Sequence, residues 1–245
     1  DGISLKSLLL GKPATPNDRL IFSHWRGRVS VRSQQFRLDH KGLLYDLTKD
    51  PGQRHDVSAK NPKTTKRLQQ AVAKWKETVL AELKQPARPF VIGHPDFKYT
   101  QIPARDGTAH GGIKRSNRFP NCSFFMNWTS LDDKIVWEAV VGASGEYEVE
   151  IYYACPKVDL GSTIELSFGN ARLLGKITTA HDPPLLGAEH DRVARQESYV
   201  KNFKSMKLGR IRLQKGKGAL TLRASDIPGS QVMEFRLIML TRVTK

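Results

Sequence analysis

GEYEVEIYYACP, residues 145–156, decides the fold of most of this chain. Tyr147, Val149, Ile151 and Tyr153 fall on one side of an extended segment, and Glu146, Glu148 and Glu150 on the other. A period of two is what a strand shows when one face meets a core and the other meets water. Residues 219–224 repeat the pattern, with Leu220, Leu222 and Ala224 alternating with Thr221 and Arg223. Further strand-like runs lie at 97–102, 123–128, 134–141, 163–168, 172–177, 209–213 and 232–240, with turn residues between them. Short strands at this density, with almost no helical periodicity, predict an all-β jelly-roll sandwich over residues 96–245.

Upstream, Pro86, Pro89 and Pro95 mark residues 86–95 as a linker. Before it, residues 1–85 predict an α+β subdomain, a four-stranded antiparallel sheet with a terminal helix. Runs at 19–25, 29–33, 36–40 and 43–47 are joined by short links that carry Gly27 and Gly42. The sheet needs a cover, and Leu68, Ala71, Val72, Trp75, Val79 and Leu83 give one apolar helix face over 62–83. Asn61-Pro62 reads as its N-cap and first helical residue. Asp50-Pro51-Gly52 reads as a turn in which Gly52 is free to take positive φ. Ile3, Leu5, Leu8 and Leu9 suit a short helix that Gly11 stops, followed by a polar connector over 12–18.

The 245 residues carry 40 Lys and Arg against 24 Asp and Glu, a net charge of +16. That surplus suits a polyanion such as nucleic acid, an anionic membrane or a sulfated polysaccharide; the other reading is a fragment whose balancing acid lies elsewhere. Lys and Arg are scattered and no zinc-finger or RNA-recognition motif occurs, so no nucleic-acid partner is expected. No apolar run approaches the ~18 residues of a membrane span. Starting at Asp1 without a charged-then-apolar leader, the chain is expected to be a piece of a longer protein. Cys122 and Cys155 are too few for a zinc site and either pair or stay as buried thiols. Asn121-Cys122-Ser123 and Asn127-Trp128-Thr129 fit the glycosylation sequon.

Residues 42–62, GLLYDLTKDPGQRHDVSAKNP, carry a resemblance. Leu44-Tyr45-Asp46-Leu47 and Asp50-Pro51 resemble a segment near the end of the formylglycine-dependent sulfatase (arylsulfatase-type) family. Gln53 stands where glutamate is usual, and Asp56-Val57 near where asparagine-leucine is usual. Asp1-Gly2-Ile3-Ser4-Leu5 is similar to a second segment of that family, and Phe36-Arg37 stands where an aromatic-lysine pair is usual. The sandwich half resembles the galactose-binding-like domains appended to carbohydrate-active enzymes and to some sulfatases. The resemblance implies the C-terminal part of a sulfuric ester hydrolase acting on sulfated carbohydrate, periplasmic or extracellular in the parent protein. Its catalytic domain, with Ca²⁺, would precede Asp1 as a partner. No catalytic residue is carried over, because neither cysteine stands in a cysteine-x-proline-x-arginine context, and no cofactor is expected in the fragment itself. The alternative is a carbohydrate-binding or protein-docking sandwich without catalysis.

Two stretches are candidate sites. The resemblance places residues 23–28 beside a substrate cleft, with His24, Trp25, Arg26 and Arg28 as substrate-binding residues. Trp25 suits stacking on a pyranose and the arginines suit a guanidinium fork on sulfate. The long segment 178–202 holds Asp182, Glu189 and Asp191, which suit a structural Ca²⁺; the other reading is a solvated loop. Trp128, Tyr99 and His110 suit either a sugar platform or, for the aromatics, a core.

Overall fold

A computed structural model describes residues 4–12, 19–84, 86 and 88–243. Asp1, Gly2 and Ile3 of the N-terminal resemblance, and positions 13–18 of the connector, lie outside the described residues. The chain divides into two units, Asp1–Ala87 and Arg88–Lys245.

In the first unit α1 (Lys6–Leu9) is a single turn, with Gly11 behind it at φ +65°. Four strands follow: β1 (Ile21–Trp25), β2 (Arg28–Arg32), β3 (Phe36–Leu38) and β4 (Leu44–Asp46), in the order β1-β2-β3-β4, all antiparallel. Helix α2 (Pro62–Thr78) covers one face. Leu68 is fully buried against Val31, Leu38 and Leu44, and Trp75 stacks on Phe22 at 5.3 Å with the rings nearly parallel. The helix is shorter than its periodicity predicts, giving way to a 3₁₀ segment at Leu80–Lys84. Asn61 precedes it as predicted, but its side chain makes no cap bond; Nδ2 donates to the Val57 carbonyl at 3.0 Å instead. In the Asp50 turn the positive φ falls on Gln53 (+53°) and not on Gly52, because Asp50 Oδ2 accepts from the amides of both Arg54 and His55 and curls the chain one residue later.

The second unit holds β5 (Phe90–Ile92), β6 (Tyr99–Pro103), β7 (Thr108–His110), β8 (Lys114–Arg115), β9 (Phe125–Met126), β10 (Lys134–Val141), β11 (Gly145–Ala154), β12 (Thr163–Phe168), β13 (Ala171–Lys176), β14 (Lys204–Leu213), β15 (Gly216–Asp226) and β16 (Glu234–Arg242). They form two sheets. One runs β13-β12-β15-β10-β5 with β7 also on β10; the other runs β14-β11-β16-β9-β8 with β6 also on β16. One cluster of buried side chains takes residues from both, the arrangement of a sandwich. Within it Tyr147, Tyr153 and Trp137 are almost wholly buried, and each polar tip finds a carbonyl, on Ala143, Thr179 and Pro103. Residues 86–95, expected as a linker, contribute β5, which pairs in parallel with β10. Among the described residues no helix is long and apolar enough to cross a membrane.

Candidate functional site

The β1–β2 hairpin closes through Arg26 and Gly27, both at positive φ (+47° and +79°), as a two-residue turn matched to strand twist requires. Trp25 and Arg28 face each other at the end of the ladder. Trp25 is 63% exposed, and the Arg26 guanidinium sits 4.7 Å from its ring centroid, a cation–π contact. The structure therefore brings Trp25, Arg26 and Arg28 together. His24 is not with them. Strand alternation sends it to the α2 side, where its ring lies 6.3 Å from Trp75 and its Nε2 accepts the Gly27 amide at 3.0 Å. It braces the turn.

Asp182, Glu189 and Asp191 do not assemble into a cation site. Asp182 lies 3.7 Å from Lys201 Nζ, Glu189 accepts the Gly187 amide at 3.0 Å, and Asp191 binds Arg195 and Tyr199. Among the described residues no group of three His, Cys, Asp or Glu is placed to hold a metal ion. The carboxylates are close in sequence, but each is met by a different cation or amide. Trp128 is fully buried and offers no platform, whereas Tyr99 is 62% exposed. Both cysteines are free, Cys122 exposed and Cys155 buried. Burial, followed by the charges of Asp159 and Asp182, pushes the Cys155 thiol up to about 11, so it stays protonated and inert at neutral pH.

Sequence reading missed a cleft in the sandwich unit. It has a volume of about 480 Å³, and its walls include Asn117, Phe124, Arg195, Glu197, Tyr199 and Glu234. Three stretches distant in sequence build it: the chain around β8 and β9, the segment 185–201, and the first residue of β16. Specific bonds hold the segment against the sandwich. Leu186 and Val200 form an isolated bridge, Ser116 Oγ and Ser198 Oγ are 2.7 Å apart, and Asn117 Nδ2 donates to the Gln196 carbonyl at 2.7 Å. Lys201 Nζ pairs with Glu234 Oε2 at 2.8 Å. The Arg195 guanidinium lies 4.5 Å over the Tyr199 ring. Hydrogen bonds from Arg195, then from Tyr199, hold the Asp191 carboxyl below its ordinary range. The one sequence signal for this cleft is the unusual length of the loop.

No known family profile matches the chain, and no curated protein matches it. Among solved structures, the C-terminal CBM6 of LamC, a laminarinase of Zobellia galactanivorans, is similar at 11% identity over 59% of this chain and 99% of that one, with a TM-score of 0.41. A family 35 carbohydrate-binding module from Clostridium thermocellum is similar at 10% identity, over 59% of this chain and 98% of that one, with a TM-score of 0.40. The GH26-CBM35 β-(1,4)-mannanase of Podospora anserina is similar at 14% identity over 60% of this chain, which spans only 28% of the mannanase, with a TM-score of 0.43. These are likenesses of sandwich shape, and what those proteins bind is theirs.

Proposed function

We propose that the chain is a carbohydrate-binding protein whose sandwich takes a sugar in the cleft between β8–β9 and segment 185–201. The cleft itself carries the reading. Its size is that of a small-molecule site, and its lining joins rings to a dense set of polar groups. A pyranose offers a C–H face and a rim of hydroxyls. Tyr199, half-buried, supplies aromatic surface for the first. Glu197 supplies a carboxylate partner for the second, beside the donors and acceptors that Asn117, Ser116 and Glu234 keep after their bonds within the wall. Arg195 and Lys201 are already paired with Asp191 and Glu234, which suits a neutral sugar here. A sulfated ligand is better served by the arginines of the first unit. Affinity electrophoresis and calorimetry against β-1,4-mannan, β-1,3-glucan and galactan test this. Binding to at least one, weakened tenfold or more by Tyr199→Ala and by Asn117→Ala, is expected. No binding to any neutral glycan, or binding indifferent to both variants, overturns it.

A second reading, the C-terminal part of a sulfatase joined to a Ca²⁺-bearing catalytic domain and working outside the cytoplasm, has one observation in its favour. The first unit has the four-stranded antiparallel sheet and terminal helix which that resemblance implies. Sequence preceding Asp1 decides it: a formylglycine motif there, with turnover of an aryl sulfate by the longer protein, supports the enzyme. Absence of the motif leaves the binding module.

A further inference from the structure

The sheet of the first unit has two unlike faces. Val29, Val31, Leu38 and Leu44 are buried, and the last three pack with Leu68 of α2. Alternation puts Ser23, Trp25, Arg28, Ser30, Arg32 and Arg37 on the other face. Arg28 and Arg32 are exposed, and neither side chain makes an ion pair or hydrogen bond. Arg37 is fixed by Gln53 Oε1 and lies 3.4 Å from Ser30 Oγ. Arg32 and Arg37 are direct partners in the ladder. Like charges set opposite one another destabilise a sheet, so this face costs the unit stability in the absence of an anion.

Among the described residues, no carboxylate pairs with Arg28, Arg32 or Arg37. Residues 1–87 hold 17 Lys and Arg against eight Asp and Glu. Among the described residues, the acids of the sheet and of the loops that follow it are committed to turns. Asp39 accepts the amides of Lys41 and Leu43, Asp46 that of Thr48, Asp50 those of Arg54 and His55, and Asp56 those of Leu44 and Ser58.

We propose that this face is a second binding surface, for a sulfated polysaccharide. It goes beyond the cleft in the sandwich and rests on the carbohydrate reading only for the class of ligand. Arg28 and Arg32 are four residues apart on β2, about 13 Å at strand rise, too far for one sulfate and suited to two groups along a chain. Guanidinium forks match sulfate oxygens in pairs, and the Ser23 and Ser30 hydroxyls lie opposite each other between the two arginines. Trp25 at the end of the row presents a ring to a sugar. A single-stranded nucleic acid is held by ring after ring against its bases, and among the described residues of this face Trp25 is the exposed ring, Tyr45 being half-buried.

Binding of the whole chain to heparin, to its desulfated counterpart and to mixed-sequence DNA is compared at ~0.15 M salt, where the Debye length is about 8 Å. Heparin is expected to bind at least tenfold more tightly than either of the others. The double change Arg28→Ser with Arg32→Ser should weaken heparin at least tenfold and reduce its salt dependence, because fewer counterions are released. Arg28→Lys with Arg32→Lys keeps the charge without the fork and should recover part of the loss. Tyr199→Ala should leave heparin binding unchanged, and the serine pair should leave neutral-glycan binding unchanged, so the two sites fail separately. Equal binding of the desulfated polymer, tighter binding of DNA, or heparin binding indifferent to the serine pair overturns the proposal.

Discussion

Asp191 grips Arg195 with both carboxylate oxygens, at 2.6 and 2.8 Å. The same carboxylate accepts the Tyr199 hydroxyl at 2.9 Å, so one acid sets the position of the ring and the guanidinium that line the cleft. Its pKa is lowered in the folded protein by those bonds, Arg195 first. A lowered carboxyl contributes in full above its ordinary value of about 3.9 and loses that contribution as pH falls through the folded value. Neutral-glycan affinity, followed by calorimetry from pH 8 downward, should therefore stay level through the ordinary carboxylate range and fall only below it. Asp191→Asn should weaken binding at neutral pH and remove the acid limb. An acid limb that survives in Asp191→Asn places the titrating group elsewhere.

Gly93 stands where no side chain fits. Its φ is +64°, and an added Cβ would lie 1.9 Å from the Tyr147 hydroxyl, which donates to the Ala143 carbonyl at 2.6 Å. Gly93→Ala combines a strained backbone with overpacking of a fully buried ring. It should lower the stability of the sandwich unit by roughly 3 kcal/mol, read as a fall in the urea midpoint. An unchanged midpoint would mean that the β5–β6 connection yields freely.

Thiol reagents should separate the cysteines. Cys122 is exposed and Cys155 is buried with its thiol raised to about 11. One equivalent of a maleimide should react quickly at pH 7 in the native protein and a second only in denaturant. Two fast equivalents, or none, would contradict this arrangement.

The two units should differ in autonomy. The buried cluster of the first has Val31, Leu38, Leu44 and Leu68 at its heart, whereas that of the second runs through both sheets. Residues 88–245 expressed alone should melt cooperatively, and residues 1–87 should give weak hydrogen-exchange protection. A high-melting 1–87 fragment would mean that its small core suffices.

Much of the architecture was legible because it is local. Alternation over residues 145–156 fixed which side chains of β11 face the core, and Tyr147, Val149, Ile151 and Tyr153 are all buried. Proline placed the start of α2, and Gly27 placed the tight β1–β2 turn. The short strand β5 was not legible. Three residues show no period, and what makes Phe90–Ile92 a strand is the parallel ladder it forms with β10, some fifty positions on. Short spacing also misled at Asp182, Glu189 and Asp191. Nearness along a loop does not converge three carboxylates, since each takes the partner that folding brings to it.

The sequence by itself therefore determined the periods, the turns and the surplus of positive charge, all set by neighbours a few residues apart. Only the tertiary structure decided where that charge gathers. Ladder pairing sets Arg32 beside Arg37 while Asp39 and Asp46 are spent on turn amides. It alone decided the cleft as well, because Asn117, Tyr199 and Glu234 meet only once the sheets have packed and residues 185–201 are pinned across them. Burial and long-range pairing are properties of the folded chain, and no local pattern encodes them.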